Sequence, residues 1–512
     1  MASRTWGGVA AGGETAGGRG GAWGAAGWWA AGMGLGLALL ALAARFPEHW
    51  MGLMVTLPVL AAAAGVVLYR PAWGACALVL LVYWNVSDVV TETWGFGWVL
   101  RLALGGVVGA WCLDRLLRER AVPLRWPLWR PMLAWGLVQL AAAAAAADRT
   151  VALGRLGEYA KAVVVFYLIV NLLTTPRQWR WAINALLIAV GLLALPVLVQ
   201  GLTGTHNTFW GFGQMEYSEL VRGQFGWRLG GALGDPNFLA MVMVAALPLA
   251  AVEVLEVRAG WLRRWLGLGV LGLGLGATLF TYSRAAALGV GLLFAVLVVW
   301  HPRRQWVVGA AVGAVLLATA IAPRSLWGRM ATLVENSLAA PGQQMTDSSF
   351  RSRRHEMYTG VLMFLDHPLL GVGPGNYEVN YLHYSARAGL SGEDTVRDPH
   401  SLYVQIAAET GVAGVVVFVW LLAAALALLE RARRRARRAG ARNFAAWLVA
   451  CQLSLVIYLL LSTFLHDAYF RHFFVLLALG ALGAGLALRA GGMQQQTLTT
   501  ASSYSGGGEN EP

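Results

Sequence analysis

Long apolar runs, broken by short polar connections, recur along almost the whole chain. A membrane-spanning helix needs about 20 mostly apolar residues, and by that rule the runs predict about fourteen helices. They fall near 25–45, 50–69, 71–88, 96–114, 128–147, 158–174, 179–200, 236–254, 262–280, 285–300, 305–322, 402–429, 444–464 and 472–489. The pairs at 50–88 and 262–300 leave almost no connection between them, so the pattern admits about twelve to fourteen spans. Three stretches break the rule. A polar loop is expected at about 201–235, a polar segment at 324–400, and a disordered tail of low apolar content at 491–512.

Composition gives the apolar pattern its meaning. Of 512 residues 58% are hydrophobic and 13% charged, where a soluble domain carries about 25% charged residues. The chain lacks the polar surface to face water all round, and the fold class is an all-α polytopic membrane protein. The net charge is +13, and Lys161 is its single lysine. In such a chain arginine reads as cytoplasmic anchoring charge and not as a nucleic-acid footprint. Cys76, Cys112 and Cys451 lie far apart in apolar runs and offer neither a zinc spacing nor a disulfide framework. Residues 1–22, rich in Gly and Ala, are expected to be a cytoplasmic segment before a first span and not a cleaved signal.

Orientation follows from where the arginines sit. Alternate connections hold Arg70, the run from Arg115 to Arg130, Arg177 and Arg180, Arg258 to Arg264, Arg303 and Arg304, and the seven arginines of "ERARRRARRAGAR" at 430–442. The positive-inside rule makes those loops cytoplasmic. Both termini are then inside, and 201–235, 281–289 and 324–400 share the outer face. A segment as long as 324–400 exceeds ordinary connections, and its aromatic and helix-like stretches read as a folded extracytoplasmic cap.

Candidate chemistry gathers on that face. In "RDPHSLYVQIAAETGVAG", at 397–414, His400 stands two residues before an apolar helix. Asp398 and Ser401 suit its start, and Glu409 lies two turns in, where a carboxylate needs a partner or a polar cavity. In "RGQFGWRLGGALGDPNFLA" the Asp235-Pro236-Asn237 run announces a helix, and Arg222 and Arg228 stand outside against the positive-inside tendency. In "TYSRAAALG", Tyr282 and Ser283 flank Arg284 at the membrane boundary, where a lipid-snorkelling role competes with anion binding. The cluster "RSRRHEM" at 351–357 is also basic. "GVGPGN" at 371–376 lacks the Gly-Lys-Ser/Thr ending of a phosphate loop and reads as a tight turn. No zinc His-Glu-x-x-His or Gly-x-Ser-x-Gly elbow occurs. Arginine forks bind phosphate oxygens in pairs and stay charged, and an imidazole takes a proton near neutral pH. Together they suit sugar transfer from a lipid-linked pyrophosphate to a hydroxyl activated by His400.

Four of these stretches, "RLGGALGDPNFLA", "YSRAA", "DHPLLGVGPGNY" and "HSLYVQIAAETGVAG", resemble the O-antigen ligase/polymerase family of bacterial membrane glycosyltransferases. The last fits that family's His-(Asn/Ser/Gln)-x9-Gly-x-x-Gly pattern through His400, Ser401, Gly411 and Gly414. The resemblance implies a C-type glycosyltransferase-like bundle in the bacterial inner (cytoplasmic) membrane, with its active site on the periplasmic face. It implies transfer of a glycan from undecaprenyl pyrophosphate to another glycan, to lipid A-core or to another hydroxyl acceptor, with no metal and no cofactor. His400 would be the general base, and Arg228 and Arg284 would hold the pyrophosphate, with Arg222 a rival for the first arginine. Asp235, Asn237, Tyr282, Ser401 and Glu409 would support them.

Ligase is the leading reading and polymerase the alternative. A lipid or solute transporter is the competitor from another class, though paired broken helices and internal symmetry are missing. The expected organisation is 1–22 cytoplasmic, 23–200 N-terminal spans, 201–323 spans with the outer loop and arginine motifs, 324–400 cap, 401–490 C-terminal spans and 491–512 tail.

Overall fold

The computed structural model describes residues 70–512 except 119–123, 222–223, 257–259, 301–303, 323, 339–347, 389–395, 467–470 and 506–512. The expected helices at 25–45 and 50–69 lie outside these residues. In chain order the helices are α1 (Pro71–Tyr83), α2 (Val86–Trp94), α3 (Val99–Arg118), α4 (Trp129–Ala144), α5 (Arg149–Leu172) and α6 (Pro176–Thr203). A hairpin of β1 (Gln214–Val221) and β2 (Gln224–Gly231) follows, then α7 (Pro236–Leu255), α8 (Trp261–Phe280), α9 (Arg284–Trp300) and α10 (Arg304–Ile321). Then come α11 (Arg324–Leu338), α12 (Ser348–Asp366), α13 (Asn376–Arg387), α14 (Leu402–Arg438), α15 (Arg442–Leu461) and α16 (Arg471–Ser505). The protein is an all-α polytopic membrane protein with little sheet.

The sequence says why several helices begin where they do. Asp148 caps α5 by accepting from the amides of Thr150 and Val151. Thr175 and Gln178 form a reciprocal capping box on α6, with Pro176 where no amide hydrogen is needed. α7 is apolar on every side, and nearly all of its residues are buried, as a helix at the centre of a bundle must be. One end of α7 is tied by charge. Glu253 is fully buried, 3.4 Å from Arg180 of α6, and Glu256 lies 2.5 Å from the same guanidinium. Trp447 of α15 donates its indole hydrogen to Glu256 at 3.3 Å. A carboxylate at that depth is tolerated because its partner is present.

Among the described residues six helices are long and apolar enough to cross a membrane: α6, α7, α10, α14, α15 and the first twenty residues of α16. A seventh span results if the bent pair α1–α2 is counted as one. That is fewer than the pattern predicts. α5 carries Arg149, Arg155, Glu158 and Lys161, α8 holds Arg263 and Arg264 in its first turn, and α9 has only 17 residues.

Three further differences have local causes. The run expected at 71–88 is broken by 56° where Asn85 adopts a left-handed conformation (φ 59°), and the Asn85 amide secures the break by donating to the Ala232 carbonyl at 2.9 Å. Part of the loop expected at 201–235 is the antiparallel hairpin, with Tyr217 opposite Trp227 and Glu216 opposite Arg228. The last helix runs on to Ser505, through residues 491–505 that were expected to lack order. From Met493 to Ser505 no Gly or Pro interrupts it, so extension costs less than starting a helix anew.

Candidate active site

The breaks between helices supply the site. The start of α7, the turn between α8 and α9, the start of α14 and the segment after α15 are all stitched to one another. The stitch begins at Arg228, which the pleat of β2 turns to the face opposite Trp227. Its guanidinium is buried and donates to the Thr281 carbonyl at 3.1 Å and to the Asn237 side-chain oxygen at 2.9 Å, while Glu216 lies 3.4 Å away. One side chain thus fastens the hairpin to the end of α8 and the start of α7. Asp235 caps α7, accepting from the amides of Asn237 (2.5 Å) and Phe238 (3.0 Å). The Asp-Pro-Asn run therefore does what its residue types predict.

Tyr282 and His400 mark two of these breaks. Both have positive φ, 54° and 39°, in a region that residues with side chains adopt at a cost of about 1–3 kcal/mol and that clusters at functional sites. The tyrosine lies buried, its hydroxyl 3.4 Å from the Ser325 hydroxyl at the start of α11. Arg284 opens α9 two residues later and is half-buried.

His400 sits just before α14, whose first amide (Leu402) donates to the Ser462 carbonyl at the end of α15 at 2.9 Å. Its ring meets His466 edge to face, centroids 5.5 Å apart, and His466 in turn packs on Phe238 at 5.1 Å and faces Asp398 at 3.4 Å. From α12 come Arg353 and Glu356, and Glu356 Oε2 lies 3.9 Å from His400 Nε2. Burial lowers the Arg353 pKa, and the positive charges of Arg284 and then Arg228 lower it further. Three arginines thus share one electrostatic neighbourhood. Burial also pushes His400 down to about 4, the charges of Arg353 and His466 adding to the effect and Asp235 and Asp398 opposing it. At neutral pH this imidazole is uncharged, with a lone pair available as a base.

The glycine motifs explain how α12 reaches His400. α14 is broken at Gly411 (φ 63°, ψ −162°), which frees backbone groups on both sides of the break. The segment 368–373 satisfies them. Val372 and Gly373 donate to the carbonyls of Ala408 (2.8 Å) and Glu409 (3.0 Å), and Val412 and Ala413 donate to those of Pro368 (2.8 Å) and Leu369 (3.3 Å). "GVGPGN" is thus a turn, as expected, and its partner is the broken helix. Asn376 extends the clamp to the turn before α5, exchanging two hydrogen bonds with the backbone of Asp148 (2.7 and 3.0 Å).

The remaining candidates divide clearly. Arg228, Arg284, Asp235, Asn237 and Tyr282 meet around the α7 start and the α8–α9 turn, and His400 joins them through Arg353 and Asp235. Ser401 is buried at the N-cap position, but its side chain makes no capping bond. Glu409 is buried one turn from Gln405, whose amide lies 3.4 Å from its carboxylate, and is set on the clamp and not among the arginines. Arg222 lies outside the described residues.

Sequence reasoning passed over Arg353 as an individual, and Glu356 and His466 altogether. Within "RSRRHEM" the three-residue spacing of Arg353 and Glu356 puts both on one helix face, the one signal that could have singled them out. Among the described residues no three His, Cys, Asp or Glu side chains gather so as to hold a metal ion.

A family model described as O-antigen ligase matches residues 269–419. No curated protein matches the chain. The matched segment runs from within α8 to within α14, so it contains Arg284, the Arg353–Glu356 helix, the 368–376 clamp and His400, while Arg228 and the Asp-Pro-Asn cap precede it. Over this segment, less than a third of the chain, the protein is similar to the O-antigen ligase family.

Proposed function

We propose that the protein is a membrane glycosyltransferase that moves a glycan from undecaprenyl pyrophosphate to an acceptor hydroxyl, ligase-like, at the extracytoplasmic face of the inner membrane. The observation that carries this reading is the convergence of Arg228, Arg284 and Arg353 beside an uncharged His400 at one end of an apolar bundle. The three cations repel one another, since Arg284 and Arg228 both lower the Arg353 pKa even with Asp235 and Glu356 opposing them, and a diphosphate relieves that repulsion. In this reading Arg284 and Arg353 grip it. Arg228, spent on Thr281, Asn237 and Glu216, contributes a fixed charge behind them. The segment 324–400 would close over the site as an extracytoplasmic cap, and both termini would lie in the cytoplasm.

In the reaction the acceptor oxygen attacks the anomeric carbon of the donor sugar. Its proton passes to His400, and the bond from that carbon to the pyrophosphate oxygen breaks with its electron pair going to the leaving group. The arginines oppose the charge that grows on that oxygen, the kind of fixed electrostatic help that acts most strongly in a site shielded from water. The diphosphate leaving group already supplies the driving force, so no nucleotide is needed.

The test is reconstitution of the purified protein in vesicles with lipid-linked glycan and candidate acceptors. Transfer of the glycan to a core-lipid acceptor is the expected product. Lengthening of the lipid-linked glycan instead would indicate a polymerase, and no transfer to any acceptor would refute the enzyme reading. A finer prediction concerns Arg284. Arg284→Lys keeps the charge but removes the planar fork, and the loss of one charged hydrogen bond, roughly 1.5–3 kcal/mol, should lower kcat/KM by about 10- to 150-fold. Wild-type kinetics in Arg284→Lys would take that side chain off the pyrophosphate.

A further inference from the structure

Among the described residues Glu356 is the one carboxylate that faces the His400 ring nitrogen Nε2, and its surroundings are unequal on its two oxygens. The side chain is 2% exposed. Oε1 accepts from the Ser352 hydroxyl at 2.7 Å and lies 3.6 Å from Arg397, whose guanidinium also donates to Ser352. The Glu356 backbone is pinned as well, because the buried Tyr377 hydroxyl donates to its carbonyl at 2.5 Å. Oε2 is buried without a hydrogen-bond partner and points toward His400 Nε2, 3.9 Å away. A buried carboxylate oxygen left without a donor is costly, and each such group in a native structure calls for an explanation. Here the nearest ring nitrogen that could supply the donor is His400 Nε2.

We propose that Glu356 is the positioning and counter-charge partner of His400, its Oε2 accepting from Nε2–H while Nδ1, which has no hydrogen-bond partner of its own, takes the proton of the acceptor hydroxyl. This rests on the transferase reading above. The step is balanced: the acceptor O–H bond breaks, the proton ends on Nδ1 of His400, and the imidazolium so formed is paired through Nε2–H with the carboxylate of Glu356 until the proton is released to water. The gap of 3.9 Å closes to a charge-assisted bond of about 2.8 Å with a small tilt of either side chain.

The other charged groups around the imidazole do not offer this. Arg353 from α12 and Arg397 of the same loop are cations and disfavour imidazolium. His466, after α15, meets the ring by its edge. Asp398 faces His466, and Asp235 is occupied as the cap of α7. Among the described residues Glu356 alone is aimed at Nε2. Burial raises the Glu356 carboxyl, against the opposing Ser352 bond and the charges of Arg397 and Arg353. The same burial lowers His400, so each group is held toward its uncharged form until the other is charged.

The experiment compares the wild type with Glu356→Gln and Glu356→Asp in the reconstituted transfer assay across pH, and follows the His400 imidazole by nitrogen-15 NMR in labelled protein. Gln keeps the shape and can still accept from Ser352, but it cannot balance an imidazolium. Loss of a group that orients and tunes a reacting one typically costs about 10- to 100-fold, so kcat should fall by that factor with the donor KM nearly unchanged. The His400 titration and the acidic limb of kcat should both move to lower pH, because a negative charge that favoured the imidazolium has been removed. Asp should recover part of the rate. Wild-type kcat with an unmoved limb in Glu356→Gln overturns the proposal, and so does a loss of folded protein in both variants, since that marks a purely structural carboxylate. Full transfer by a His400→Ala variant, by contrast, removes the base itself and is read without reference to Glu356.

Discussion

His400→Ala should cut glycan transfer by about 10²–10⁴-fold, the usual contribution of a positioned general base, with the protein still inserted and folded. Alanine keeps a β-carbon, so the strained φ of 39° is much the same in the variant. The ring makes edge contact with His466 and holds no hydrogen bond that anchors the fold. The loss therefore reports chemistry. The pH dependence sharpens the test. A base works when unprotonated, and in the empty site burial and the charge of Arg353 hold His400 near 4. The acidic limb of kcat/KM, which reflects the free enzyme, should then lie well below the 6.5 of an ordinary histidine. A bound diphosphate brings negative charge to the same arginines and favours the imidazolium, so the limb of kcat should lie at higher pH than that of kcat/KM. Initial rates at limiting and saturating donor measure both. Limbs that coincide near 6.5, or an alanine variant with full activity, would dismiss His400 as the base.

Most of the bundle was legible because it is written in two strong signals, the length of apolar runs and the residues that start helices. Asp235 and Pro236 start α7 where the sequence places it, whereas α5 and α6 begin nine and three residues before the expected 158 and 179, at Arg149 behind its cap Asp148 and at Pro176. What escaped has a common character, since it depends on partners remote in sequence. The bend at Asn85 is secured by the carbonyl of Ala232, so nothing within 71–94 announces it. The hairpin strands are short and mixed, Tyr217, Phe225 and Trp227 being exposed on one face while Arg228 is buried on the other, and an amphipathic alternation with outward aromatic rings reads as an irregular loop. Arg353 and Glu356 belong to a charge run that normally means a solvated helix face. Only the docking of α12 on α14 turns that face inward. Local spacing could nominate His400 and Arg284, but not the role of Glu356, whose carboxylate faces His400 only across the fold.

That docking is where the second large effect is expected. Gly371 has φ 68°, and a β-carbon there would overlap the backbone of Ala408, Glu409 and Thr410, none of which can swing aside as a side-chain tip can. Gly411 presents the mirror case, its β-carbon colliding with the backbone of Leu369 and Leu370. Gly371→Ala should therefore push the 368–373 segment off the break in α14 and uncouple its four backbone hydrogen bonds. Each buried group left unpaired costs about 1–3 kcal/mol, so the clamp as a whole should open without global unfolding. Gly440 is the control. It too has positive φ, at 74°, but open space surrounds it, so Gly440→Ala should cost only the backbone strain of about 1–2 kcal/mol and leave transfer intact. The two variants separate conformational strain from collision. Because α12 enters the clamp and carries Arg353 and Glu356, opening it withdraws both from His400. Gly371→Ala should consequently lose activity at temperatures where the rest of the bundle is still folded, seen as protease cleavage within 348–376 and loss of transfer below the melting transition. Equal thermal stability, protection and activity in Gly371→Ala and the wild type would mean that the broken helix and the glycine turn do not hold the site together.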